Sequence, residues 1–442
     1  MKQKMSFFLM LFVFAGLLFA QGRKIEFTEY DLDNGLHVIL HQDHTVPIVG
    51  VTVFYHVGSK NEKSDRTGFA HFFEHLMFEG SDNIPRGDYF KIVQSNGGEL
   101  NATTDFDRTY YYEILPSNQL KLGLWLESER MLHLRVDSVG VETQRKVVKE
   151  ERKQRLDNQP YGSFLEQTMM HAYKVHPYRW TPIGSAQYID QATLDEFMDF
   201  YKTYYVPNNA TLTVVGDFDV DEAKEWIEDY FGTIPEGTRE MNRPTEVEPK
   251  QTEEVRDIVY DNIQLPLVLF AYHVPEKNGK DYYPLQMLNT LLSSGKSSRM
   301  NKNIVDKKQL ALNSGAFNFA LEDPGLFVMY SIANAGVTAE ELEAAMNEEI
   351  EKVKNEIVGE KEFQKLQNQV ESDFVQSNAS IAGIAASLAD YYNYFHDTNL
   401  INTELEKYLE VTREDIQRVA KEYLTPENRV VLYYLPKSEE KK

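Results

Sequence analysis

Two histidines and a glutamate within five residues, His71-Phe72-Phe73-Glu74-His75, are the side chains of this sequence best equipped to do chemistry. On a helix, His71 and His75 stand one turn apart and Glu74 follows His71 by three, so all three project from one face. Two neutral imidazoles so placed grip a single zinc ion, and a carboxylate beside them takes a proton from water that the metal polarises. The order His-x-x-Glu-His inverts the commoner zinc-protease helix motif. Phe72, Phe73, Leu76, Met77 and Phe78 surround the trio with apolar bulk, which predicts a buried helix. Polar groups buried there cost several kcal/mol unless paired, and one metal ion pairs them together.

A catalytic zinc takes three protein ligands and leaves one position open. The third is expected in Val147-Val148-Lys149-Glu150-Glu151-Arg152-Lys153-Gln154-Arg155, a run of strong helix formers stopped by Asn158-Gln159-Pro160. Lys149, Arg152 and Lys153 read as a solvated face. Glu150 and Glu151 each follow Val147 or Val148 by three or four residues, on the flank that packs inward. Spacing alone leaves both open.

Motif and setting together resemble the pitrilysin family of zinc peptidases, which includes insulysin and the mitochondrial processing peptidase. Gly58-Ser59 and Gly68-Phe69-Ala70 resemble the family's lead-in, and Phe78-Glu79-Gly80-Ser81 resembles the turn that follows the motif. Gly97-Gly98-Glu99-Leu100-Asn101-Ala102-Thr103-Thr104 is similar to the family's substrate-binding edge strand, with a plain turn as the alternative for Gly97-Gly98. His176-Pro177-Tyr178 and Ile183-Gly184-Ser185 match another landmark. The resemblance covers nearly the whole mature chain. It implies one zinc ion per chain on His71, His75 and Glu151, with Glu150 as runner-up, Glu74 as catalytic base, and substrate held at Asn101 and Ala102. Seventy-five residues separate His75 from Glu151, which suits half-size members such as the catalytic subunit of the processing peptidase.

One departure bears on partners. Half-size members that work alone carry an Arg and a Tyr in the second domain that help to hold the substrate carbonyl. The aligned positions here are Val305 and Leu312, whose side chains donate no hydrogen bond. Losing such a donor costs roughly 10²–10³ in rate. The expectation is a heterodimer in which a related partner subunit, itself without zinc ligands, supplies the Arg and Tyr; Arg299 is the nearby substitute if the alignment slips.

The elements that must position these residues come from an internal repeat. Thr193–Val215 (TLDEFMDFYKTYYVPNNATLTVV) and Thr412–Tyr434 (TREDIQRVAKEYLTPENRVVLYY) align without gaps at an offset of 219 residues. They share Thr193/Thr412, Lys202/Lys421, Tyr204/Tyr423, Pro207/Pro426 and Asn209/Asn428, and each reads as helix, break and strand. The expected fold is therefore α+β, with two similar domains, each a mainly antiparallel sheet packed by helices. The expected boundaries are a signal peptide over 1–20, a zinc-binding catalytic domain over 21–234, a linker over 235–256 and a second domain without zinc ligands over 257–442. In the second half His273 and His396 are isolated and read as structural.

Net charge −23 disfavours nucleic acid as a partner. Hydrophobic residues at 42% suffice for two cores. Met1-Lys2-Gln3-Lys4 and the apolar run Phe7–Phe19 fit a secretory signal cut after Ala20, with an uncleaved anchor as the alternative. No later stretch is apolar enough for a membrane span. The absence of cysteine excludes disulfides and thiolate zinc ligands. The combined expectation is a periplasmic or secreted zinc metalloendopeptidase acting on extended peptides or unfolded segments. The alternatives are a non-catalytic peptide-binding or assembly subunit with a silent metal site, and a zinc-stabilised structural protein.

Overall fold

The computed structural model describes residues 24–439, so the expected signal peptide lies outside the described residues. Two sheets organise the chain. The first comprises β1 (Thr28–Asp31), β2 (His37–Gln42), β3 (Ile48–Tyr55), β4 (Glu99–Thr104), β5 (Thr109–Pro116) and β6 (Ala210–Gly216), in the order β1-β2-β6-β3-β5-β4. The second comprises β7 (Val255–Asp261), β8 (Leu267–His273), β9 (Ala311–Phe319), β10 (Leu326–Ala333) and β11 (Arg429–Pro436), in the order β7-β11-β8-β10-β9.

Laid over one another, β2-β6-β3-β5-β4 and β7-β11-β8-β10-β9 agree strand for strand. β2 with β6 and β7 with β11 are parallel, and every other neighbouring pair is antiparallel. The chain is thus α+β with two similar domains, as the repeat predicts. Both repeat segments open on a capping box, Thr193 with Glu196 and Thr412 with Asp415, which satisfies first-turn amides and fixes where each helix starts. Each then passes through a one-turn 3₁₀ segment begun by Pro207 or Pro426 and enters a buried strand.

The halves cover one another's sheets. One face of the first sheet packs on its own helices, but the other buries Ile39, Phe54 and Val215 beneath helix Ile381–Asp390 and residues Tyr391–Phe395 of the second half. Reciprocally, Leu267, Leu269, Ala271, Val430 and Leu432 of the second sheet pack on Met169, Ala172 and Tyr173, at and beyond helix Phe164–Ala172 of the first half. Strand β3 (IVGVTVFY) is apolar along its length because both its faces are covered.

The sequence leaves several elements unread. These are β1, β7 and helices Ala186–Gln191, Val220–Phe231, Ile381–Asp390 and Leu400–Glu410. β7 opens at Val255, inside the expected linker; its burial is only partial, so it lacks the apolar run that marks a central strand. Residues 235–254 carry no regular element but are fixed to the surface. Arg243 donates to His56 O (2.6 Å), and the Glu248 carboxylate accepts from the amides of Lys174, Val175 and His176 at 2.8–3.0 Å.

Candidate metal centre

The motif residues occupy helix Phe69–Leu76, which buries Phe69, Ala70, Phe72, Phe73 and Leu76. Its aromatic face stacks on helix Leu194–Tyr204. Phe72 and Phe197 lie 4.5 Å apart between ring centroids, and Phe73 and Phe200 lie 5.5 Å apart. The chain enters through Gly68 at φ +98°, a left-handed conformation that a side chain would strain. Glu62 lies beneath this entry. One of its carboxylate oxygens accepts from Gly68 N (2.9 Å) and the other from Ala70 N (2.8 Å). Burial nonetheless pushes the Glu62 carboxyl up to about 8.

Glu150 and Glu151 lie near the end of helix Ser138–Arg152, which Asp137 caps by accepting from Gly140 N (2.8 Å). A side-chain bridge ties this helix to the motif helix. Arg86 donates to Glu79 (2.5 Å) and to Asp137 (2.7 Å), while Gln144 donates to the other Glu79 oxygen (2.6 Å). Val148 turns inward at 2% exposure. Glu151 follows it by three residues and reaches the imidazoles, with Oε2 3.1 Å from His75 Nε2 and 3.5 Å from His71 Nε2. Glu150 faces outward, with Lys153 and Gln154 as its neighbours. A π-helical turn, Lys153–Asp157, replaces the expected end of this helix and carries Arg155, whose Nη1 pairs with Glu151 Oε1 at 2.9 Å.

One ligand atom from each of His71, His75 and Glu151 lies within 4.8 Å of the others, and among the described residues this is the single group of three metal-capable side chains so arranged. His71 Nδ1 and Glu151 Oε2 are buried without a well-directed hydrogen bond. Two imidazoles and a carboxylate converging on one point, with an orphaned carboxylate oxygen facing it, fit a tetrahedral zinc site with one open position. Burial, and then the neighbouring His75, lower the His71 pKa to about 4, so its ring is neutral at pH 7 and free to ligate. The His75 imidazole beside it holds the Glu151 carboxyl below its ordinary value. Burial raises Glu74, while the hydroxyl of Thr104, the last residue of β4, acts in the opposite sense.

Strand β4 runs beside this group. It forms one edge of the first sheet and, among the described residues, pairs only with β5. Ala102 N donates to the Asn101 side-chain oxygen (2.9 Å), so this amide faces outward from the ladder. In the second half, Val305 packs partly buried against the core and Leu312 lies exposed on β9. Arg299 is engaged by Glu362 at 2.8 Å. His273 is half-buried with its ring edge-on to Tyr173 at 5.3 Å, and His396 ends a helical segment at φ +52°.

Residues 37–182 match the family described as Insulinase (Peptidase family M16), and residues 191–370 match the Peptidase M16 inactive domain. A zinc protease of Helicobacter pylori, PqqE, is 33% identical over 408 residues, covering 92% of each chain. The chain belongs to peptidase family M16. A second member, described as an uncharacterized zinc protease of Rickettsia felis, is 25% identical over 372 residues, covering 84% of this chain and 89% of that one. The crystal structure of a protease from H. pylori superposes on this M16 chain with a TM-score of 0.90 at 32% identity, over 93% of this chain and all of the other. The periplasmic protease PqqL of Escherichia coli shares the fold, with a TM-score of 0.76 at 19% identity over 95% of this chain but 48% of its own. This M16 chain is therefore a half-size member, with relatives named as zinc proteases.

Sequence reasoning passed over Glu62, Arg86 and Gln144, and read Glu79 only as part of a turn. Their partners are backbone amides or side chains brought close only by folding, so no local spacing marks them.

Proposed function

We propose that this chain is an exported zinc metalloendopeptidase that hydrolyses extended peptides or unfolded protein segments. His71, His75 and Glu151 hold the ion, one per chain. The observation that carries this reading is the convergence of those three side chains with an orphaned Glu151 oxygen at their centre. When bound, zinc supplies a Lewis acid that polarises the scissile carbonyl and acidifies water.

The remaining steps belong to the protein. Glu74, on the motif helix beside both imidazoles, takes the proton of the attacking water and passes it to the leaving nitrogen. Its raised pKa suits both halves of that transfer. The peptide lies extended on the open edge of β4, where a substrate carbonyl replaces Asn101 as acceptor for the Ala102 amide. Recognition through main-chain groups selects unfolded segments, because folded proteins have already paired theirs.

Export follows from the basic, then apolar, start of the chain. Among the described residues no helix is long and apolar enough to cross a membrane. A related partner subunit completes the site with the Arg and Tyr that Val305 and Leu312 replace. This pairing is supported by alignment to 48% of full-length PqqL and to 93% of a separate first half of that protein.

A second reading, a peptide-binding or assembly subunit with a silent metal site, draws on the match of residues 191–370 to the M16 inactive domain. The deciding experiment is zinc content of the purified mature chain beside Glu151→Gln and Glu150→Gln. One zinc per chain, lost with Glu151 but kept with Glu150, supports the enzyme and makes partner-dependent peptidase assays decisive between the two readings. No zinc in the wild-type chain, alone or with its partner, overturns the first.

A further inference from the structure

The two hairpins that the duplication makes equivalent, β4–β5 and β9–β10, meet tip to tip on one buried lysine. Lys60 is 4% exposed. Its Nζ lies 3.0 Å from Asp107 Oδ1 in the first hairpin tip, and 2.5 Å and 3.2 Å from Glu322 and Asp323 in the second. The tips also bind one another. Glu322 N donates to Asp107 Oδ2 (2.9 Å), Asp323 N donates to Tyr178 Oη (3.0 Å), and the Tyr178 hydroxyl donates to Asp107 Oδ1 (2.5 Å). His56 Nε2 lies 2.7 Å from a Glu322 oxygen and His176 Nε2 lies 3.4 Å from an Asp323 oxygen.

Lys60 is also joined to the site by backbone. It sits in the one-turn 3₁₀ segment Ser59–Asn61, whose amides at Ser59 and Lys60 donate to Asp105 O and Phe106 O, just past the end of β4. Asn61 Oδ1 accepts from Gly58 N (3.0 Å), and Tyr204 Oη donates to Asn61 O (3.2 Å), so the turn is rigid. The next residue is Glu62, which receives the first amides of the motif helix. From Lys60 a short, braced path therefore runs to the metal-binding helix, and another to the substrate strand.

We propose that Glu322 and Asp323 of the second half are positioning residues that, through Lys60 and Glu62, set the placement of the motif helix and of β4. The second half thereby acts on the site although it contributes no ligand. A guanidinium or ammonium partner would be expected to sit among acids at any interface; here the ammonium is buried and its own chain leads straight into the helix that carries His71 and His75. Only the description of that helix as metal-binding rests on the proposed function.

The test is hydrogen exchange and zinc binding in the full chain carrying E322Q and D323N together, which leaves Lys60 paired with Asp107. The expected result is cooperative unfolding retained, with amides of residues 66–78 and 97–106 exchanging about tenfold faster and those of helices 339–377 unchanged. Zinc affinity should fall by about tenfold, as for other residues that orient ligands from behind. A role in general stability alone would speed exchange everywhere, and that result, or wild-type exchange at both segments, overturns the proposal. If the double variant does not fold, Glu322→Gln alone, which leaves Lys60 paired with Asp107 and Asp323, should give the same localised pattern at smaller size; its absence overturns the proposal. A wild-type chain that binds no zinc, combined with the localised exchange response, removes the metal reading and leaves the positioning role standing.

Discussion

Asn209 and Asn428, 219 residues apart, make the same two hydrogen bonds. The Asn209 amide donates to Tyr204 O (2.8 Å), at the end of one helix, and to His56 O (3.3 Å), just past β3. The Asn428 amide donates to Tyr423 O (2.9 Å) and to His273 O (2.9 Å), at the end of β8. Each asparagine thus ties the C-terminus of a helix to the end of the strand beside it, which gives the repeated asparagine a physical reason. Replacing Asn209 with Ala removes the side-chain donor from Tyr204 O and releases Arg243 from its carboxamide, while His56 O keeps Arg243 as a donor; the expected cost is about 1–3 kcal/mol. Asn428→Ala, at a more exposed position, should fall at the lower end of that range. Chemical denaturation of the two variants checks the order.

Glu74→Gln keeps the shape of the side chain and removes the proposed base. Zinc content should stay at the wild-type level while peptidase activity falls by roughly 10²–10⁴. Loss of metal together with activity would place Glu74 among the ligands and contradict its assignment.

The contact between the halves carries an acid-sensitive charge set. Against burial, which raises both carboxyls, hydrogen bonds from His56 and His176 and then the Lys60 ammonium hold Glu322 and Asp323 at about 2, below ordinary values of 4.5 and 3.8. Both folded-state values are depressed, so the stability they contribute is present above about pH 4.5 and is lost as pH falls toward 2. Glu62 has the opposite sign. Its carboxyl is raised to about 8, so its contribution is complete below about 4.5 and fades as pH rises through 8. Thermal melts from pH 5 to 2 should fall less steeply for the Glu322→Gln, Asp323→Asn variant than for wild type. Parallel curves would remove these carboxylates as the cause.

Residues 24–234 expressed alone should not form a stable domain. They would leave Ile39, Phe54 and Val215 without helix Ile381–Asp390, exposing an apolar sheet face. The expected outcome is strong binding of a hydrophobic dye and no cooperative melt; adding residues 235–439 in trans should lower dye binding and bring back a cooperative melt. A sharply melting fragment would refute the reciprocal cover as a requirement for folding.

Much of the site was legible because its first parts are local. A helix brings residues three and four apart onto one face whatever surrounds it, so His71, Glu74 and His75 could be read together from five letters. The duplication was legible for a similar reason, since Thr193 and Thr412 cap helices through neighbours three residues on. Strand Glu99–Thr104 was legible because alternation and the flanking Gly97-Gly98 turn mark it. Helix Ile381–Asp390 escaped notice because IAGIAASLAD is apolar on most sides, as a helix covering another domain's sheet must be, and so shows little amphipathic contrast.

Tertiary structure alone brought Glu151 rather than Glu150 beside the imidazoles. Neighbouring residues on a helix differ by about 100° in direction, and only the inward turn of Val148 shows which of the two follows it to the site. The same holds for Glu62 under Gly68 and for Lys60 between two hairpin tips. Sequence fixes such contacts only through the whole fold, because their partners are backbone amides and side chains up to 263 residues away, and no local period encodes a distance of that kind.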